Sequence, residues 1–183
     1  MKFQFGFLLL LMFATQLTFA QKYGTKTGHI NFHSDAKMET IKANNYKTAA
    51  VIDAATGAME FSLLMKGFEF EKSLMQDHFN ENYVESDKYP KSTFKGKIAD
   101  ISKVKFGTNG TYPVSVTGKL TIHGVTKDVT AKGNVVVSGG KVSANSVFNI
   151  SLSDYGVKIS ADKVSNISNT IKISVNLKEL KAM

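Results

Sequence analysis

Residues 110–137, GTYPVSVTGKLTIHGVTKDVTAKGNVVV, alternate apolar and polar side chains on both sides of a His123-Gly124 turn. Tyr112, Val114, Val116, Leu120 and Ile122 share one parity before the turn, and Val125, Val129, Val135 and Val137 share one after it. Successive side chains of a strand point to opposite faces. The pattern therefore predicts two long antiparallel strands, each with one buried face, joined by a tight hairpin.

The same period extends outward in both directions. Downstream, Gly139-Gly140 turns the chain into Val142, Phe148, Ile150 and Leu152, and Ile171, Ile173, Val175 and Leu177 form a last strand. Upstream, a run from Ser92 sets Phe94, Gly96, Ile98, Val104 and Phe106 against Lys95, Lys97, Lys103 and Lys105, with a bend or bulge at Asp100-Ile101. Met59, Phe61, Leu63 and Met65 follow a Thr56-Gly57 turn, Tyr46, Thr48, Ala50 and Ile52 precede it, and Ile30 and Phe32 alternate with His29, Asn31 and His33. Two segments break the pattern. One helical turn is predicted over 36–42. A short amphipathic helix is predicted over Glu71–Tyr83, with Leu74, Met75, Phe79 and Tyr83 on one stripe, and Pro90 ends that insertion.

The fold class is all-β. Eight mostly sequential antiparallel strands must bury their apolar faces, and a sheet closed on itself does so without leaving a raw edge. An eight-stranded up-and-down barrel with a short helical insertion is the first expectation and a two-sheet sandwich the second.

The 183 residues include no Cys, so disulfides, thiolate metal sites and cysteine nucleophiles are excluded. Residues 1–20 have the form of an export signal: Lys2, the apolar run Phe7–Phe13, then Thr18-Phe19-Ala20 before Gln21. That run falls well short of the roughly 20 residues needed to span a bilayer. Cleavage leaves one domain, 21–183, destined for the periplasm or the exterior, with no cysteine for lipidation. Losing Lys2 lowers the formal charge of +8 by one. All 23 basic residues are lysine. The absence of arginine, the side chain that forks onto guanine and phosphate, argues against a nucleic-acid partner. The ridge of Lys95, Lys97, Lys103 and Lys105 would either contact an anionic membrane transiently or guard a strand edge.

An eight-stranded barrel is just wide enough to be filled by side chains or to hold one small ligand. Small residues on the inward parity, Gly118, Ala131, Gly133, Ala144 and Ser146, either leave room inside or permit strong coiling. Any such room is walled by aliphatic and aromatic groups and suits a hydrocarbon chain. At about 0.8 kcal/mol per buried carbon, one isoprene unit gives roughly 4 kcal/mol. Several units exceed an association cost of roughly 4–15 kcal/mol.

Catalytic signals are sparse. His29 and His33 share a strand face about 13 Å apart at 3.3 Å per residue, too far to chelate one metal. There is no HExxH, GxSxG or Walker loop, and no cofactor or metal is expected. A hydrolase or isomerase using His78 or His123 is the enzymatic alternative. A filled barrel acting as a stress-response or interaction protein is the third reading.

Three segments carry a family likeness: HFNENYVESDKYP from His78 to Pro90, continuing KSTFKG to Gly96; GKLTIHGVTKDV from Gly118 to Val129; and Phe148–Ile159 with its Asp154-Tyr155-Gly156. Together they resemble the YceI-like family of exported lipid-binding proteins, over nearly all of residues 21–183. The resemblance implies a lipocalin-like antiparallel barrel, periplasmic or secreted, whose apolar tunnel takes a polyisoprenoid or similar long-chain lipid, with no catalytic residues. His33-Ser34, followed here by Asp35-Ala36-Lys37-Met38-Glu39, departs from the family pattern, as does the missing Trp near the start of the domain. On this reading the ligand contacts are Phe61, Leu63, Met65, Phe79, Tyr83, Phe94, Ile98, Tyr112, Val114, Val116, Leu120, Phe148, Ile150 and Tyr155. His78, Asn82 and Lys91 would orient the head group.

Overall fold

The computed structural model describes residues 21–183, so the export segment read over 1–20 lies outside the described residues. The strands are β1 (Lys22–Asp35), β2 (Thr40–Asp53), β3 (Ala58–Leu64), β4 (Glu69–Phe70), β5 (Lys91–Ile98), β6 (Gly110–Ile122), β7 (Val125–Ser138), β8 (Lys141–Ser151) and β9 (Thr170–Ala182). Neighbours run β1-β9-β8-β7-β6-β5-β3-β2, all antiparallel, and β2 pairs back onto β1. Eight strands thus close a ring, and the two-residue β4 pairs on β2 at Ala43 and Asn44. Closure rules out the sandwich. It also leaves β5 hydrogen-bonded on both sides, to β3 and β6, so its lysines guard no edge.

Hairpin turns fall where the glycines placed them. His123 and Gly124 both have positive φ, at 52° and 72°, as a two-residue turn matched to strand twist requires. Between Gly28↔Thr48 and Ile30↔Asn45, β1 advances two residues while β2 advances three, a bulge in β2. The inward parity of β2 therefore changes from Ala43 and Asn45 to Thr48, Ala50 and Ile52, all of them buried. Asn45 fixes the bulge from inside: its amide donates to the Leu64 carbonyl at 3.0 Å and its Oδ1 accepts the Lys47 N–H at 2.9 Å.

Four local expectations are corrected. Tyr46 shares the parity of Thr48, Ala50 and Ile52 in the sequence, but the bulge turns it out, where it stacks on His29 at 4.5 Å. Val104 and Phe106 are not strand residues. β5 stops at Ile98, and a 3₁₀ turn over Ile101–Lys103 redirects the chain, so Lys103 leaves the presumed ridge and pairs with Asp100 at 2.8 Å. Residues 36–42 bend, with the Ala36 N–H donating to the Glu39 carbonyl, and β2 starts at Thr40 instead of a helical turn. The insertion helix is shorter than expected: α1 (Ser73–His78) passes into a wider π turn over Phe79–Tyr83.

One end of the barrel is packed solid. Ile52, Ile98, Val135, Val137, Val142 and Leu180 are buried there. Tyr23 lies flat on Phe106 with ring centroids 5.1 Å apart, and Val104 is buried beside them, so the loop after β5 plugs that end.

Candidate functional site

The other end encloses a cavity of about 500 Å³. That volume overturns the filled-barrel expectation. Of the residues read as ligand contacts, Phe61, Leu63, Met65, Phe79, Tyr83, Phe94, Val116, Leu120, Phe148 and Ile150 line it. Ile98, Tyr112 and Val114 do not, because the alternation continues past the cavity floor into the packed end. Tyr155 is only 2% exposed and sits in a second cluster with Leu120 and Val157, outside the cavity lining.

Small residues contribute unequally. Ala131, Ala144 and Ser146 line the cavity. Gly118 makes no room: a Cβ there would stand 2.5 Å from the Gly96 Cα and 2.7 Å from the Phe94 ring. The paired glycines Gly96 and Gly118 provide the flat bed on which Phe94 lies. Gly133 likewise serves close approach, since a Cβ there would collide with the Asn145 carbonyl.

The open end is an aromatic cluster that sequence reasoning only partly found. Phe32, Phe68, Phe70 and Phe79 meet with centroids 5.0–5.8 Å apart. Phe68 and Phe70 come from the short segment around β4. Their alternation, Phe68-Glu69-Phe70, was the available signal, too short to read alone. The mouth lies where the segments around Glu39, Lys72 and Asn166 converge, and Leu74 on α1, 63% exposed, is part of both rim and lining. Glu39 is held from two sides, by Lys72 at 3.8 Å and by the Asn166 amide at 3.4 Å. His78 and Lys163 also line this end. Asn82 and Lys91, read as head-group residues, are exposed and do not line the cavity, because the π turn and the start of β5 carry them to the outer surface.

His123 does other work. Its Nε2 meets Glu85 Oε2 at 2.6 Å and its Nδ1 meets the Tyr155 carbonyl at 3.1 Å. Both partners are oxygen atoms, so both ring nitrogens are engaged and the ring's orientation is fixed. The His123 hydrogen bond holds the Glu85 carboxyl below the usual carboxylate range, against a smaller opposing effect of desolvation. Tyr89 packs edge-on against the imidazole at 4.6 Å and covers Gly124. This clasp ties the helical insertion and the Leu152–Tyr155 turn to the β6–β7 hairpin. It stands outside the cavity lining, and no carboxylate forms an ion pair with His78 among the described residues. Nor do three His, Asp or Glu residues gather as metal ligands among them.

A family model described as the YceI-like domain matches residues 13–178. No curated protein sequence matches significantly. Among solved structures, a polyisoprenoid-binding domain from Saccharophagus degradans implicated in plant cell wall breakdown superposes with a TM-score of 0.74 at 15% identity, over 88% of this chain and 99% of that one. BcnA of Burkholderia cenocepacia gives 0.69 at 22% identity, over 82% and 94%. The YCEI protein of Campylobacter jejuni gives 0.61 at 20% identity, over 80% and 88%. At these identities the likeness is one of fold.

Proposed function

The chain belongs to the YceI-like family, and from that premise we propose that it binds a long-chain amphiphile such as a polyisoprenoid, to carry or store it. The observation that carries the reading is the character of the cavity: its wall is mostly aliphatic and aromatic with a few hydroxyl and amide side chains, and its charged lining residues, Glu39, Lys72 and Lys163, lie with His78 toward the mouth. Such a wall supplies non-directional burial, so affinity should grow with chain length at roughly 0.8 kcal/mol per carbon until the cavity is full. The polyisoprenoid named for the Saccharophagus domain supports this choice of ligand.

The family is one of binding proteins, and we extend this to a role without catalysis. The His123–Glu85 pair supports it, since both ring nitrogens are engaged in holding the fold together. Export belongs to the same proposal and rests on the pattern of residues 1–20. N-terminal sequencing of protein recovered from its native host should begin at Gln21.

Extraction of natively purified protein, read by mass spectrometry, should release one lipid per chain. Delipidated protein should bind prenyl alcohols more tightly as they lengthen. Absence of stoichiometric lipid, together with no binding of any prenyl alcohol, would overturn the reading.

A further inference from the structure

The barrel wall has a second weak place besides the mouth. β7 and β8 share ladder pairs from Ser138↔Lys141 to Gly133↔Ser146 and none beyond. Residues 125–132 stay paired with β6, and 147–151 stay paired with β9, but these two stretches do not pair with each other among the described residues. Ser146 marks the fork, where its hydroxyl donates to the Lys132 carbonyl at 2.8 Å. An unzipped seam in a closed barrel leaves the free main-chain edges that barrels otherwise abolish.

The seam is thin as well as unladdered, and the Leu152–Tyr155 turn packs against its β7 side. An outer groove runs along it, and Val129, Phe148 and Ile150 line both that groove and the inner cavity. One layer of side chains separates the two. Tyr155 belongs to the groove lining and packs in one cluster with Val125, Val129, Phe148 and Ile150. Its hydroxyl is buried without a hydrogen-bond partner. The groove's outer part presents Thr130, Asn149, Ser151 and Thr170. Its charges offset one another: Lys127 lines it together with Asp128 and Asp154, and Asp128 is already paired with Lys119 at 3.0 Å.

We propose that this seam is a side port of the tunnel that binds the ligand's polar end, an uncharged hydrogen-bonding head group such as an alcohol. The apolar chain lies inside, and the head passes between β7 and β8 beside Tyr155 to reach hydroxyl, amide and free main-chain groups. Hydroxyls, amides and main-chain edges both donate and accept, as an alcohol does, and the balanced charges offer an anion no excess of cations. The inference rests on the amphiphile-binding reading above and adds the route and the head-group class.

Because the chain has no cysteine, the seam can be stapled cleanly. The Thr130→Cys/Asn149→Cys variant places two exposed thiols across it, to be bridged with a reducible bis-methanethiosulfonate. Lys97→Cys/Thr117→Cys, across a zipped β5–β6 pair, is the control. With geranylgeraniol as probe, the seam bridge should slow loading at least about tenfold, an expected difference of about 1.4 kcal/mol in barrier. Reduction should restore the rate of the same double-cysteine variant before bridging, and the control bridge should change nothing relative to its own unbridged form. Unchanged loading in the bridged seam variant would overturn the port. In the unmodified protein, geranylgeraniol should slow amide exchange in 126–131 and 147–151; protection confined to the mouth segments would overturn it too. Tighter binding of geranylgeranyl diphosphate than of the alcohol would overturn the head-group class. If the unmodified protein binds neither compound, the underlying amphiphile reading fails and takes the port with it, whereas binding with an indifferent seam removes the port alone.

Discussion

The two ends of this barrel are built on one alternation rule and come out opposite. At the sealed end, inward positions hold Ile52, Ile98, Val135, Val137 and Val142, and a loop adds Val104 and Phe106 to close the bore. At the hollow end, inward positions mix Ala131, Ala144 and Ser146 with large rings that stand around the wall instead of filling the axis. Parity decides inside from outside; side-chain size at each level decides whether the inside is core or container. The sealed end supplies stability, which frees the hollow end to leave surface unburied.

The division predicts that stability and binding can be damaged separately. Ile52→Ala, at a fully buried site off the cavity, should cost about 2–5 kcal/mol in urea unfolding. Its affinity for a prenyl alcohol should be unchanged under conditions where it remains folded. Equal losses of both would show that the two ends are one cooperative packing unit. Gly118→Ala should cost about 1–3 kcal/mol, since the added methyl has no space between Gly96 and the Phe94 ring. It should also weaken binding, because Phe94 can move only into the cavity. A neutral Gly118→Ala would mean the glycine pair is not what seats that ring.

Ala144→Phe tests the container from within. In a filled core the added ring would be destabilising by overpacking, whereas here it projects into existing volume, so stability should change little. Affinity should fall about tenfold, about 1.4 kcal/mol, as ring and ligand compete for the same space. Titration calorimetry and thermal melts on one preparation separate the two effects. A lowered melting temperature with intact binding would contradict the assignment of Ala144 to the cavity wall.

How far the sequence revealed all this follows from what alternation encodes. The eight barrel strands, the hairpin turns at His123-Gly124 and Gly139-Gly140, and most of the cavity wall were legible because each depends on neighbours in the chain, whereas the two-residue β4 was not. Position along the barrel axis was not. Ile98, Tyr112 and Val114 have the same inward pattern as Val116 and Leu120, and only closure of the ring puts a floor between the two sets. The β2 bulge escaped for a related reason. It is held by the Asn45 side chain reaching Leu64 in another strand, and nothing adjacent to Tyr46 announces it. The side seam was equally hidden, since both unpaired stretches keep regular strand alternation.

Acid distinguishes the ends most gently, because each carries an anchoring carboxylate whose hydrogen bonds lower its pKa. At the sealed end, Asp53 accepts the N–H groups of Thr56 and Ala55, and these bonds, Thr56 first, lower its pKa. At the hollow end, the His123 hydrogen bond lowers that of Glu85. A carboxylate whose folded pKa is depressed lends stability above its unfolded value and loses it as pH falls through the folded one. Both ends should therefore loosen in acid, below the ordinary carboxylate range, but of these two carboxylates Glu85 is the one that ties down the insertion roofing the cavity. Ligand release followed by stopped-flow fluorescence should accelerate as pH drops. Asp53→Asn should keep that dependence, whereas Glu85→Gln should release faster at neutral pH and show little further change in acid. A Glu85→Gln protein with the original acid response would place the sensitive group elsewhere and dissolve the clasp's claim to govern the hollow end.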